Sequence, residues 1–414
     1  MQKTKFNRIC IIGLGYIGLP TAVAFANAGK QVIGVDINEQ VVASLKQGKI
    51  HIIEPDLQTA FTQAVKNGHF FATQTPEEAD AFIIAVPTPL LEKKPDLSYM
   101  QNAALAIAPY LRKGNLVVLE STSPVGTTEK LAEWLSQARP DLAFPADVHI
   151  AYCPERVLPG RIMTELVENN RIIGGLTPQC SQQAVDLYQI FAKGNCISTQ
   201  ARTAEMCKLV ENSFRDVNIA FANELSMICD ELDINVWELI ELANQHPRVN
   251  ILQPGAGVGG HCIAVDPWFI VSQSPQLARL IRTAREVNNA KPQWVLEKLK
   301  ALVADCAVEK NCKLGDLTIA CFGLAFKPDI DDLRESPALA ITQQIARWHK
   351  GSVMAVEPNI QTLSLENITL VDTATALSQA DIIVLLVDHT PFKQISIDRV
   401  KQKYLLDCRG VWLR

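Results

Sequence analysis

The chain of 414 residues carries 48% hydrophobic side chains, with 39 basic and 44 acidic residues for a formal net charge of -5. That length predicts two or three domains rather than one core, and the charge balance excludes a global positive field that would gather nucleic acid or an anionic membrane. No run reaches the roughly 18 apolar residues of a spanning helix, and Met1-Gln2-Lys3-Thr4-Lys5 leads into the chain without the apolar core of a secretory signal, so a cytoplasmic protein that engages neither membrane nor nucleic acid is expected.

In chain order, Ile9–Ile12, Gln31–Val35, Ala81–Val86, Leu116–Glu120 and His149–Cys153 read as buried strands, with Thr21–Ala28 and Met100–Leu111 as helices among them. This alternation predicts a parallel sheet covered by helices, with working loops at the carboxyl ends of the strands. Gly13-Leu14-Gly15-Tyr16-Ile17-Gly18 falls between the first strand and the first helix. There Gly13 permits the tight turn, Gly15 admits a pyrophosphate to the backbone, and Gly18 allows close helix–strand packing. The next strand ends at Asp36, whose carboxylate suits two ribose hydroxyls and repels the extra phosphate of NADP, so the predicted cofactor is NAD. Val86-Pro87-Thr88-Pro89 and Glu120-Ser121-Thr122-Ser123 leave two later strands, and the hydroxyls of Thr88 and Ser121 suit either a ligand or a helix cap. Glu155-Arg156 stands at another strand end, as a candidate site or a plain salt bridge.

From about Ala201 the pattern turns helical, through Glu205–Leu232, Val236–Gln245 and Leu277–Lys300. The βα pattern resumes with strands at Leu317–Phe322, Val353–Val356, Asp381–Val387 and Tyr404–Asp407 and a helix at Ser336–Trp348. The expected architecture is therefore α/β: two Rossmann-like domains with parallel-sheet cores, residues 1–200 and 310–414, joined by a mainly helical central domain, residues 201–309. In the first central helix Met206, Leu209, Val210 and Phe214 read as the packed side. Lys208 and Asn212, four apart, share a face that either offers a charge and an amide to a developing oxyanion or is simply solvated.

The 11 cysteines show neither a CxxC pair nor a metal-ligand spacing, which predicts reduced, mostly buried thiols and no metal site. Cys262 is the exception, because it follows Gly255-Ala256-Gly257-Val258-Gly259-Gly260-His261. Four glycines in six residues are entropically costly, so Cys262 reads as an exposed nucleophile, against the alternative of a structural thiol in a glycine turn. If the loop enters a helix, Cys262 and Asp266 share a face. His261, adjacent to the thiol, is a poor choice of base and reads equally as a ligand contact or a structural hydrogen-bonding group.

Gly13–Pro20, Tyr152–Arg156 with Pro159-Gly160, Lys208 with Asn212, Gly257–Asp266, and Phe326-Lys327-Pro328 through Arg334-Glu335-Ser336 occur in one order. In that order, across essentially the full chain, the sequence resembles the UDP-glucose/GDP-mannose dehydrogenase family. The resemblance implies oxidation of a UDP-sugar C6 alcohol to a carboxylate by two hydride transfers to NAD, with Cys262 holding the intermediate as a thiohemiacetal and then a thioester. It gives Lys208 and Asn212 the oxyanion, with Lys208 or an Asp266-bound water taking the first proton. Asp266 and Thr122 organise the water network, and Glu155 assists thioester hydrolysis. It assigns Gly13, Tyr16, Ile17, Gly18, Asp36, Pro87, Thr88, Thr122 and Arg334 to the cofactor. To the substrate it assigns Glu155, Arg156, Lys208, Asn212, Gly259, His261, Lys327 and, across a homodimer interface, Arg248. Val265 stands where many UDP-glucose enzymes have Lys, and His261 accords with the 2-acetamido-sugar branch. The expected substrate is UDP-N-acetyl-D-mannosamine, a precursor of surface polysaccharide such as the enterobacterial common antigen. The alternatives are UDP-N-acetyl-D-glucosamine and, in a different class, a non-catalytic NAD-sensing regulator.

Overall fold

The computed structural model describes residues 6–412. The chain divides into two compact units, one of residues up to Glu211 together with Trp268–Gln273, the other of Asn212–Pro267 together with the chain from Ser274 onward.

The first unit opens with β1 (Arg8–Ile12), α1 (Gly18–Asn27), β2 (Gln31–Val35), α2 (Glu39–Lys46), α3 (Leu57–Lys66), β3 (Phe70–Thr73) and β4 (Ala81–Ile84). A small hairpin, β5 (Leu90–Leu91) with β6 (Lys94–Pro95), precedes α4 (Ser98–Ile107), β7 (Leu116–Leu119), α5 (Thr127–Ala138) and β8 (His149–Tyr152). There follow α6 (Ile162–Glu168), β9 (Arg171–Gly175), α7 (Pro178–Tyr188) and β10 (Cys196–Gln200). Among the described residues the strands form one sheet in the order β10-β9-β8-β7-β4-β1-β2-β3. The central strands are apolar throughout because both sheet faces are covered. Ile9 and Ile11 pack with Val23 and Phe25, while Cys10 and Ile12 pack with Met100 and Ile107, so the two-residue period of β1 feeds two separate helix layers. Strand order reverses at β1, which has β2 on one side and β4 on the other, and ligands in such sheets bind at the carboxyl ends of that pair.

The sheet is not purely parallel: β8 and β9 pair antiparallel, Ala151 with Gly175 and Tyr152 with Gly174. The strands β9 and β10 escape the sequence reading: β9, Arg-Ile-Ile-Gly-Gly, is largely buried but has only two apolar side chains ahead of two glycines, and β10, Cys-Ile-Ser-Thr-Gln, is largely solvated and offers no apolar run.

The long helix α8 (Ala201–Glu231) begins in the first unit and continues in the second. After it come α9 (Val236–Ala243), α10 (Asp266–Gln273) and α11 (Arg279–Glu309). The last of these runs well beyond the expected end at Lys300, with Pro292 inside it. The second sheet has the order β13-β12-β11-β14-β15, from β11 (Ile319–Phe322), β12 (Val353–Val356), β13 (Thr369–Leu370), β14 (Ile382–Leu385) and β15 (Tyr404–Asp407), all parallel. Its helices are α12 (Pro337–Trp348), α13 (Thr373–Gln379) and α14 (Thr390–Lys393). The architecture is thus α/β, two Rossmann-like parallel-sheet cores with a helical region between them in sequence.

The turn after β11 repeats the turn after β1. Gly13 and Gly323 have φ of 92° and 89°, a conformation that favours glycine, and their N–H groups donate to Val35 and Val356 at 2.8 and 2.9 Å. The next N–H groups, of Leu14 and Leu324, donate to the acids that end the neighbouring strands, Asp36 and Glu357.

The packed side of α8 is not the expected one. Leu209 is buried, but Met206, Val210 and Phe214 face solvent, Phe214 at 70% exposure and Phe221 further along at 52%. Glu205, Asn212, Ser213, Asp216, Asn223 and Ser226 are buried instead. Hydrophobic periodicity locates a face of a helix but not the partner that covers it, and the buried face of α8 meets polar groups.

Candidate active site

The dinucleotide turn is built so that space remains on one glycine only. A Cβ on Gly13 would lie 2.5 Å from the Ala85 carbonyl oxygen, and one on Gly18 would lie 1.8 Å from that of Gly13, whereas one on Gly15 would meet nothing within 4 Å. Gly13 and Gly18 are therefore needed for packing, and the open side of Gly15 is where a pyrophosphate can approach the backbone at the start of α1. The Asp36 carboxylate is fixed by the backbone around it, Oδ2 accepting from Leu14 N at 3.0 Å and Oδ1 from Asn38 N at 2.9 Å. Tyr16 is exposed and Ile17 half-buried beside the turn. These residues fit NAD.

The loops after β4 and β7 are tied together. Thr88 Oγ1 donates to the Thr122 carbonyl at 2.8 Å and stands ahead of β5 rather than at a helix start, and Pro87 beside it is exposed. Ser121 Oγ donates to Ile84 O at 3.3 Å and Ser123 Oγ to Ser121 O at 2.7 Å. The far end of the loop is fixed from α8, where the buried Glu205 accepts from Gly126 N at 2.6 Å, Thr128 N at 2.7 Å and Thr128 Oγ1 at 2.6 Å, closing the N-terminus of α5. Burial pushes the Glu205 carboxyl up. Nothing local in the sequence signals Glu205, whose partners lie far back in the chain.

Both charges at Glu155-Arg156 are ion-paired. Glu155 Oε2 lies 3.1 Å from the buried Arg171 guanidinium, and Arg156 Nε lies 2.9 Å from Glu211. Arg171 stacks over Tyr188 and Phe191, with 4.7 and 5.2 Å to the ring centroids. The Tyr188 hydroxyl donates to Glu120 at 2.6 Å, and Thr21 Oγ1 donates to the same carboxylate at 3.4 Å. Burial, then the negative Glu155, push Glu120 up to about 7. Sequence reasoning missed Arg171, Tyr188 and Glu120 as neighbours of Glu155.

In the second unit the glycine loop leads into α10. Cys262 O accepts from Asp266 N at 2.9 Å, so the loop enters a helical turn, and Asn212 Nδ2 donates to Asp266 Oδ2 at 2.5 Å, with both residues buried. Lys208, on the turn of α8 before Asn212, is half-buried. Cys262 is exposed, and so is His261. The glycines are packing devices here: a Cβ on Gly259 would lie 2.3 Å from Glu335 O, one on Gly260 2.9 Å from the Phe326 ring, and one on Gly257 2.9 Å from Pro337. The segment 326–336 is accordingly a folded loop against which the glycines pack. Asp329 accepts from Thr390 N at 2.8 Å, and Arg334 forks onto Asp332 at 2.9 and 2.6 Å. Lys327 is half-buried in it, and Arg248, before the glycine loop, is exposed.

A glycine turn with one open glycine, a fixed acid at the end of the next strand and an exposed cysteine beside a buried Asn–Asp pair belong together in one family, and the chain matches its three domain models. The NAD binding domain of the UDP-glucose/GDP-mannose dehydrogenase family matches residues 7–192, the central domain 202–290 and the UDP binding domain 320–414. The chain belongs to the UDP-glucose/GDP-mannose dehydrogenase family. This dehydrogenase is 61% identical to UDP-N-acetyl-D-mannosamine dehydrogenase of Yersinia pestis, over 99% of this chain and 100% of that one. It is 59% identical to an NDP-N-acetyl-D-galactosaminuronic acid dehydrogenase of Ralstonia nicotianae, over 98% and 96% of the two chains. Among solved structures it is similar to a UDP-D-ManNAc dehydrogenase from Pyrococcus horikoshii, with a TM-score of 0.88 at 40% identity over 98% of this chain and 96% of that one. The chain is an NAD-dependent nucleotide-sugar dehydrogenase.

Proposed function

We propose that this dehydrogenase oxidises UDP-N-acetyl-D-mannosamine at C6 to UDP-N-acetyl-D-mannosaminuronate, through a thiohemiacetal and a thioester on Cys262. The observation that carries the reading is the 61% identity to a UDP-N-acetyl-D-mannosamine dehydrogenase along both full chains. Cys262 supports it as the one exposed thiol among the described residues.

NAD, when bound, accepts a hydride in each of the two oxidations. The residues do the rest. Gly13, Gly15, Gly18 and Asp36 bind the cofactor, and Tyr16, Ile17, Pro87, Thr88, Thr122 and Arg334 complete its surroundings. The C6 alcohol loses its proton to Lys208 or to water held by Asp266. The Cys262 thiol then adds to the aldehyde, forming a C–S bond and keeping the reactive carbon on the protein. Lys208 and Asn212 stabilise the oxyanion, and the second oxidation leaves a thioester. Water attacks that carbonyl with help from Glu155 and breaks the C–S bond, returning the thiol. One alcohol, one water and two NAD give one carboxylate, two NADH and three protons. Arg156, Gly259, His261 and Lys327 contact the substrate, whose UDP half lies on residues 310–414.

The division into residues 1–200, 201–309 and 310–414 is supported by the limits of the three family models. A homodimer is supported by the exposed apolar stripe of α8, and Arg248 then serves the neighbouring subunit's substrate. Among the described residues no helix is long and apolar enough to cross a membrane, which accords with a cytoplasmic enzyme.

Incubation with NAD and, separately, UDP-N-acetyl-D-mannosamine, UDP-N-acetyl-D-glucosamine and UDP-N-acetyl-D-galactosamine tests the substrate through the mass of the product. The mannosamine sugar is expected to give the uronate at least about tenfold faster in kcat/KM than either the C2-epimeric glucosamine sugar or the galactosamine sugar, which differs at both C2 and C4, a discrimination of about 1.4 kcal/mol. The galactosamine sugar is the relevant competitor given the 59% identical relative, and preferential turnover of either other sugar overturns the assignment.

A further inference from the structure

Helix α8 carries an asparagine where ordinary packing would place an aliphatic residue. Asn223 is fully buried, and its amide is committed in both directions. Oδ1 accepts from Gly255 N at 2.9 Å, and Nδ2 donates to Asn288 Oδ1 at 2.8 Å. Asn288 Nδ2 in turn donates to Asp216 Oδ1 at 2.8 Å and to the Asp216 carbonyl at 3.0 Å. Arg285 NH1 donates to the same Asp216 oxygen at 2.5 Å. A carboxylate only accepts, so Asp216 sets the polarity of the whole ladder. Each amide points its donor toward Asp216, and Asn223 is left with its oxygen facing Gly255. A flipped Asn223 would set N–H against N–H at Gly255 and oxygen against oxygen at Asn288.

Gly255 begins the loop that carries Cys262, and Asp266 ends it. We propose that Asn223 is a positioning residue for the Cys262 thiol. With Asn212 it forms a two-point clamp that holds loop 255–266 against one face of α8. The proposal rests on the reading of Cys262 as the nucleophile. Asn212 and Asn223 stand three helical turns apart on one face, about 16 Å along the axis. A chain from 255 to 266 can span about 40 Å when extended, so fixing both ends at that spacing forces the loop into a compact shape. The remaining contacts leave that shape little room. Arg409 NH1 donates to Pro254 O at 3.0 Å, and Gly257, Gly259 and Gly260 press on Pro337, Glu335 and Phe326 with no space for a Cβ. The thiol therefore stands exposed on an immobilised backbone, the condition under which a nucleophile is held near its attacking geometry.

The test compares Asn223→Ala with Ile240→Ala, a fully buried residue in the cluster of Cys229, Val236 and Trp237. The control lowers stability without any part in the clamp. In Asn223→Ala, kcat with UDP-N-acetyl-D-mannosamine is expected to fall at least about tenfold, and alkylation of Cys262 by iodoacetamide to change at least about threefold, with the NAD dissociation constant within about twofold of wild type. Ile240→Ala is expected to keep both rates within about twofold despite its lower thermal midpoint. If Asn223→Ala does not fold, Asn288→Ala, which leaves Asn223 in place but unorients its amide, is expected to move both rates the same way. The clamp is overturned if these variants keep wild-type turnover and alkylation, or if Ile240→Ala loses as much. Wild-type enzyme that stays active after complete Cys262 alkylation would instead remove the nucleophile, and the alkylation rate of Asn223→Ala would still judge the clamp.

Discussion

Burial separates the cysteines chemically. It pushes the thiols of Cys10, Cys153, Cys321 and Cys408 up to about 12, so they stay protonated and inert at neutral pH, whereas Cys262 is exposed. A second buried group has a measurable signature. Glu120 is raised from 4.5 to about 7 by burial and by Glu155, so the folded protein holds a proton there that the unfolded chain releases. Its favourable share of stability is complete below pH 4.5 and is lost as pH rises through 7. Glu120→Gln, which keeps an oxygen for Tyr188, is therefore expected to raise the thermal midpoint at pH 8, by the equivalent of about 1–3 kcal/mol, and to have little effect at pH 5. An equal effect at both pH values would show that Glu120 does not titrate in this window. Cys262 and Asp36 are legible in the sequence because their signals are local: a costly run of glycines, and an acid at the end of the strand after a glycine turn. Glu205, Arg171 and Asn223 are not, because they act on residues that the chain brings back from far away.

At the scale of elements, α8 inverts the usual arrangement, with carboxylates and amides inside and Met206, Val210, Phe214, Phe221 and Ile228 outside. Its helical period is plain in the sequence, but the apolar stripe does not mark the packed side: among the described residues it stays exposed, while Arg285, Asn288 and Lys291 of α11 meet the polar face. A solvated stripe of this length is unfavourable in a monomer, which is the physical ground for the proposed dimer through α8. Phe214→Glu combined with Phe221→Glu is expected to halve the mass found by analytical ultracentrifugation, and an unchanged dimer, or a wild type that sediments as a monomer, would refute that interface. The glycine loop shows the converse case: its glycines are legible, but their reason is close packing on Phe326, Glu335 and Pro337, which only the folded chain reveals.

At the scale of the whole molecule, two α/β cores are legible because their central strands are unbroken apolar runs that no half-exposed sheet would tolerate. The antiparallel β8–β9 joint and the solvated β10 lie beyond that signal. The two cores share a glycine turn and a strand-end acid, yet they differ where function diverges. Asp36 accepts from the backbone N–H groups of Leu14 and Asn38, while Glu357 also engages the buried His389 at 3.1 Å. The first turn lies in the NAD binding domain, and the second has its acid occupied by a side chain of the protein itself. In the proposed reaction one chain carries out both oxidations because Cys262 retains the carbon between them. That role of Cys262 is tested most directly by the NADH released from limiting UDP-N-acetyl-D-mannosamine by wild type and by Cys262→Ala, side by side, with NAD affinity measured for both. Two NADH and one uronate per sugar in wild type, with no uronate from a variant that still binds NAD, is the predicted result; two NADH and a uronate from Cys262→Ala would contradict it.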